Sequence, residues 1–307
     1  MAPTFEDIVQ SHLFTFCVGQ DGKRIVVHAA AIAATSPQLN ALINNGMEES
    51  SMRCAKLDDI EVDDFNRFCE YAYRGDYTVP PWENLPLEPE PTPDKNQKGE
   101  DDDDWGDPTP VSRKKKGKKG RIYEEAIPDV PDEPMTEPEP EPEPQYELQF
   151  NSRTILRTQF DSRNHIIDGG PITAILQSFE PKANSFPWQN FTPVFLAHAR
   201  LYCFAHMRLI APLKALTLNK LHKTLSKFKL YTDRVGDIIE LARYAYLNQD
   251  LPSRSKDGTL DDLKKLVVEY IACEIDVIGK HDAFVEYMEE GGEFVGDFWK
   301  VARDFMN

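Results

Sequence analysis

The sequence predicts an α+β domain built round a small sheet, split by a disordered acidic, proline-rich insertion and followed by an all-α extension. Three observations carry this. Residues 5–80 mix period-two with period-3.6 apolar patterning, as strands and helices of one compact domain would. Residues 80–147 hold 20 of the 52 acidic residues and 15 of the 23 prolines. From Thr192 onward the apolar spacing is helical throughout.

The first part, 5–80, reads as follows. Phe14, Phe16 and Val18 alternate with Thr15 and Cys17, the pattern of a half-buried strand. Gln20-Asp21-Gly22-Lys23 is a hairpin turn, and Arg24 to His28 returns as the second strand. Ala29 to Ala34 favours helix, because alanine loses no side-chain rotamer freedom. Ser36-Pro37 reads as an N-cap with proline in the first helical position, carrying Leu39, Leu42 and Ile43 inward. Asn44-Asn45-Gly46 ends that helix. Arg53 to Leu57 is a short strand, and Asp63 to Tyr73 a helix with Phe65, Phe68, Cys69 and Ala72 on one face.

The insertion, 81–147, cannot pack a core. Glu-Pro repeats from Glu137 to Pro144 favour polyproline II, since proline fixes φ and lacks a donor. Asp101 to Asp104 repel one another, so disorder is expected. Outside residues 80–147 the chain carries 32 acids and 26 bases, so the formal charge of −17 belongs mostly to this segment. Within it lies a basic run, Arg113, Lys114, Lys115, Lys116, Lys118, Lys119 and Arg121. Two readings stay open: a nuclear import signal, or a basic block loosely paired with Asp101 to Asp104.

Residues 148–191 are ambiguous: Leu148, Phe150, Ile155, Leu156, Ile166, Ile167, Ile172, Ile175 and Leu176 could supply a strand or two, with a turn at Asp168-Gly169-Gly170. Residues 192–225 hold a helix with Phe195, Ala199, Tyr202, Cys203, His206 and Ile210 in one stripe, then a second starting at Pro212. In the extension, 226–307, a helix follows Asp233 as cap, another runs from Asp257 to about Gly279, and a last piece spans Phe294 to Phe305.

Several function classes lack support. No apolar run approaches the ~20 residues of a membrane helix, and Met1 to Gln10 is unlike a secretion signal. The acidic balance argues against direct nucleic-acid or membrane partners. Five scattered cysteines suit free thiols in an intracellular protein of the nucleus or cytoplasm. No phosphate loop, metalloprotease helix or nucleophile elbow is present, so no enzyme and no cofactor are expected. His198, Cys203 and His206 lie near one helical face but lack a fourth ligand, which makes them core residues and not a metal site. Asp58-Asp59, Asp63-Asp64 and Asp261-Asp262 flank helix starts, where negative charge complements the helix dipole.

Phe14 to Tyr77 resembles a BTB/POZ domain. Phe14-Thr15-Phe16-Cys17-Val18-Gly19 is similar to that family's first strand. His28 with Ile32, Ala33, Ser36 and Pro37 resembles its H-x-x-x-L-A-x-x-S-P signature. Met47-Glu48-Glu49-Ser50, the strand at Cys54 to Leu57, and a helix ending in Tyr71-Ala72-Tyr73-Arg74-Gly75 follow in the family's order. The resemblance implies a BTB/POZ fold, a small sheet flanked by helices, whose terminal helices are residues 192–225. The insertion then splits the domain, which is tolerable because loop closure costs only ~0.6 kcal/mol per doubling of length. The helical C-terminal part resembles the extension of BTB adaptor proteins, and the whole is similar to fungal BTB proteins.

The resemblance implies a protein-interaction module. BTB domains commonly dimerise, and many link a bound substrate to a cullin scaffold of a ubiquitin ligase. In that subfamily a hydrophobic–any–acidic triplet lies in the loop after the third helix, and Met47-Glu48-Glu49 fits it. Met47 would fill an apolar notch on the cullin and Glu49 would fix orientation; equally, Met47 could fold onto its own domain. Alternatively the protein is a nuclear scaffold or transcription-related regulator without ubiquitin ligase activity. Departures from the family bear on this. The charged pocket of its zinc-finger transcription factors falls on Leu13 and Ala29, so it is missing here. Only Phe5 to Ser11 is available for the N-terminal helix used in family homodimers.

Overall fold

The structure, a computed structural model, describes residues 3–46, 48–85, 152–163, 169–252 and 259–305. Helix α1 (Phe5–Gln10) opens it, closed by a reciprocal capping box between Thr4 and Asp7. The hairpin β1 (Leu13–Val18) and β2 (Lys23–His28) follows. Gly22 turns it at φ +61°, a conformation that glycine adopts without steric cost. Helices α2 (Ala29–Ala33), α3 (Pro37–Asn44) and α4 (Glu48–Met52) lead into β3 (Cys54–Leu57) and α5 (Val62–Arg74). The strand order is β2-β1-β3, with β1 antiparallel to β2 and parallel to β3.

Strand alternation sorts the side chains. Phe14, Phe16 and Val18 of β1 and Ala55 and Leu57 of β3 are buried, while Thr15, Cys17 and Cys54 lie half-buried on the outer face. Ile32, Leu39, Ile43, Phe65 and Phe68 close the core from the helices. Ser36 caps α3, its Oγ accepting from Leu39 N at 3.1 Å, and Pro37 opens the helix as expected.

Beyond α5 come β4 (Glu83–Asn84), α6 (Ser152–Asp161), α7 (Pro171–Phe179) and β5 (Gln189–Asn190). Then follow α8 (Thr192–Met207), α9 (Ala211–Lys227), a 3-10 turn (Thr232–Arg234) and α10 (Val235–Leu247). The chain ends with α11 (Asp262–Cys273), α12 (Ile275–Ile278), α13 (Asp282–Glu290) and α14 (Glu293–Phe305). The described residues fall into two units, 3–85 with 169–305 in the first and 152–163 in the second. In the second unit, α6 exposes Ile155, Leu156 and Phe160.

Helix α8 organises the first unit by serving two cores. Leu201, Phe204 and Ala205 join Ile210 and Leu213 in the same core as the sheet, with Phe204 5.0 Å from Phe68. Phe195, Ala199, Tyr202 and Cys203 face the other way, toward α10 and α11 residues such as Ile238, Ala242, Val267 and Ile271. Each fully buried side chain of this size contributes ~1.5–3 kcal/mol. A helix flanked on both sides has no polar stripe, so only the Phe195–Ala199–Tyr202 face is legible from spacing.

Four sequence expectations need correction. Ile172, Ile175, Leu176 and Phe179 lie on helix α7, not a strand, which is the i, i+3, i+4, i+7 spacing behind an N-terminal Pro171. Ile155 and Leu156 likewise lie on α6. Asp233 caps nothing: it sits in the 3-10 turn, and α10 starts behind Arg234 with no side-chain cap. The expected helix from Asp257 to Gly279 starts at Asp262 with Asp261 as its cap, and breaks at Glu274 before α12. Helix α13, capped by His281, was not anticipated. Finally, the packed chain runs past residue 80. Val79 and Pro80 are buried, Trp82 stacks on Phe191 at 5.8 Å, and β4 pairs with β5. An indole offers enough apolar surface to hold this stretch against the core.

Candidate interaction surface

The signature residues turn out to build the scaffold. His28 ends β2, and its backbone N donates to Tyr73 Oη at 2.8 Å, while the ring Nδ1 lies 2.9 Å from the same oxygen. That double contact ties the strand end to the last turn of α5. Ile32 is fully buried and Ala33 packs beside it. Gly75 adopts φ +76° and its N–H returns to Tyr71 O at 2.8 Å, the left-handed cap that ends α5. These residues set the geometry on which partner-facing groups are displayed.

Two surfaces of the N-terminal part face outward. Glu48 is exposed and Glu49 half-exposed in the first turn of α4, where the helix dipole favours acids. The expected loop is thus a short helix at this point, and Met47 lies outside the described residues. Arg53, at φ +52°, makes the bend into β3, and its carbonyl accepts from Thr15 N at 2.9 Å. The second surface is apolar: Phe5 and Val9 of α1 and Leu13 and Val26 of the hairpin are all exposed. Leu13 is exposed and Ala29 buried, so neither position offers a charge.

A third feature escaped the sequence reading. Lys220 of α9 is buried, its Nζ donating to Tyr77 O at 2.7 Å and Phe179 O at 2.9 Å and pairing with Asp76 Oδ1 at 2.5 Å. The ammonium also lies 4.4 Å from the Tyr77 ring centroid. Burial pulls its pKa down, and Asp76 opposes that. One lysine therefore holds the chain at residue 77 and again at residue 179. Its trace in the sequence is slight: a lysine on the buried face shared by Leu213, Thr217, Leu221 and Thr224.

His198 sits beside this lysine's partner, sharing a 2.7 Å hydrogen bond between Nδ1 and Tyr77 Oη. Burial drops its pKa to about 3, so the ring is neutral at physiological pH. His198 and Cys203 are buried in place and His206 is half-buried; no group of three or more metal-type side chains occurs among the described residues. Burial pushes the Cys203 thiol up to about 12, against nucleophilic use. The acidic pairs divide in role. Asp261 caps α11 by accepting from Leu263 N at 2.9 Å. Asp63 and Asp64 occupy the first turn of α5, but Asp64 is buried and bonds Arg67 at 2.7 Å. Asp59 pairs with Arg208 instead of serving a helix start.

The basic run at Arg113 to Arg121 lies outside the described residues. Among the described residues no helix is long and apolar enough to cross a membrane. No curated protein matches the chain. The family model of the BTB/POZ domain matches residues 10–87, the segment that runs from the end of α1 through β4. With its hairpin, signature contacts and left-handed helix cap, the segment 10–87 is a BTB/POZ domain, a protein-protein interaction module.

Proposed function

We propose that the protein is a substrate adaptor that links a bound target to a cullin-based ubiquitin ligase. The observation that carries this reading is the exposed acidic first turn of α4, directly after Met47, on a BTB domain. The half-exposed Glu49 carboxylate can accept a charge-assisted hydrogen bond from a partner, and such bonds are roughly twice as strong as neutral ones. The exposed apolar side chains Phe5, Val9, Leu13 and Val26 support homodimerisation as a second property of the same domain. Affinity purification of the full chain followed by mass spectrometry tests the adaptor role. The expected outcome is that cullin co-purifies with the wild type and is depleted at least tenfold by Met47→Ala with Glu49→Ala, the effect of losing ~1.4 kcal/mol. Unchanged recovery rejects the reading.

A nuclear scaffold without ligase activity is the second reading. Lys115-Lys116-x-Lys118 supports it, as the core of an import signal. Deleting residues 113–121 is expected to shift the protein from nucleus to cytoplasm; an unchanged distribution removes this reading.

A further inference from the structure

A polar cleft of about 260 Å³ opens where the segment before α5 meets α8 and α10, with Asp59, Glu61, Asp64, Arg200, Tyr244 and Asp250 on its walls. Its charges do not balance. Asp59 pairs with Arg208 at 2.5 Å, Glu61 with Arg200 at 2.9 Å, and Asp64 Oδ1 with Arg67 at 2.7 Å. Arg200 is committed to Glu61 and approaches Asp64 Oδ2 only to 3.9 Å. That oxygen is buried and has no hydrogen-bond donor among the described residues, and Asp64 as a whole is 1% exposed. With Asp250 on the wall as well, four carboxylates meet three guanidinium groups among the described residues, which leaves the cleft one cation short among them.

An unmet carboxylate oxygen in a low-dielectric wall is costly unless a donor arrives. The helix dipole at the start of α5 offsets part of that cost. Burial nevertheless raises the Asp64 pKa to about 6, against the pull of both arginines. The cleft is smaller than the ~300–1,000 Å³ of drug-sized ligand sites, and suits one long side chain.

We propose that this cleft receives an arginine side chain of a partner protein, its guanidinium bridging Asp64 Oδ2 and Glu61. A fork of fixed donors matches two carboxylates better than a point-charge ammonium does. The site lies apart from α4, so it stands or falls independently of the cullin reading.

The test titrates the full chain with Nα-acetyl-arginine amide and with its neutral isostere Nα-acetyl-citrulline amide, following the amide NMR shifts of Glu61, Tyr244 and Asn248. Saturable shifts with a millimolar Kd are expected for arginine, and binding about tenfold weaker for citrulline, as a lost charged hydrogen bond implies. Glu61→Gln and Asp64→Asn should each weaken arginine binding about fivefold or more. Glu61 lies at the exposed rim, so Glu61→Gln reads the site without altering the buried carboxylate. Equal binding of the two probes overturns the proposal, as do no saturable shift or wild-type affinity in Glu61→Gln. A further arm uses Arg254→Gln with Lys256→Gln. If arginine binds only to that variant, the chain's own base fills the cleft and a partner's arginine is ruled out.

Discussion

Replacing Lys220 by methionine keeps the length and apolar stem of the side chain while deleting its ammonium. The structure shows what goes with it: two charge-assisted hydrogen bonds to the carbonyls of Tyr77 and Phe179, and the ion pair with Asp76. Hydrogen bonds to charged groups are worth ~1.5–3 kcal/mol each, so the gross loss is of order 5 kcal/mol or more. Against this, methionine avoids the desolvation of a buried ammonium, the same effect that lowers the Lys220 pKa. Tyr77 and Phe179 lie buried, so water replaces the lost donor poorly. A net destabilisation of about 3–5 kcal/mol follows, as for other buried charge pairs that lose one partner. Urea unfolding of the full chain, followed by far-UV circular dichroism, reads this as a lower midpoint at unchanged slope. A loss under ~1 kcal/mol would mean that desolvation cancels the bonds, and would refute the reasoning. A cycle with Asp76→Asn isolates the ion pair and should return a coupling of ~1 kcal/mol or more.

Two further outcomes are expected. Asp64 has a folded pKa near 6, above the ordinary aspartate value of about 3.9. Its ionised form is therefore disfavoured by folding: the penalty is absent below about pH 4, grows between pH 4 and 6, and is complete above pH 6. Asp64→Asn should thus stabilise the protein by about 1–3 kcal/mol at pH 7.5 and make no difference near pH 4; a variant less stable at pH 7.5 contradicts this. Phe204→Ala removes the ring that packs 5.0 Å from Phe68, and is expected to cost ~3–5 kcal/mol by thermal or urea unfolding. A cost below ~1 kcal/mol would show that α8 does not complete the core of the sheet.

Much of the N-terminal half is legible because its signals are local. Ser36-Pro37 caps and opens α3, and Gly22 and Gly75 stand where the backbone takes positive φ. Alternation in Phe14, Phe16 and Val18 sorts the sheet faces. Each depends on residues within a few positions of one another. The region around Ile172 was harder, since a nine-residue apolar stretch supports either period until Pro171 and the Phe179 contact decide. Of the candidate sites, Glu48 and Glu49 were visible as a pattern, yet their helical setting depends on how α3 ends and β3 begins.

The sequence by itself determined the two-part organisation, the BTB-like order of elements and the concentration of acid and proline between them, because composition and short-range spacing suffice for these. Only the tertiary structure decided that α8 serves two cores, that Lys220 holds residues 77 and 179 together, and that Asp64 Oδ2 lacks a donor among the described residues. Those facts join groups 41 to 143 residues apart in the chain, or the two ends of one ion network. No local propensity records such pairings. Whether a buried charge is met depends on which distant donors the folded chain brings within 3 Å or so, and that is a property of packing alone.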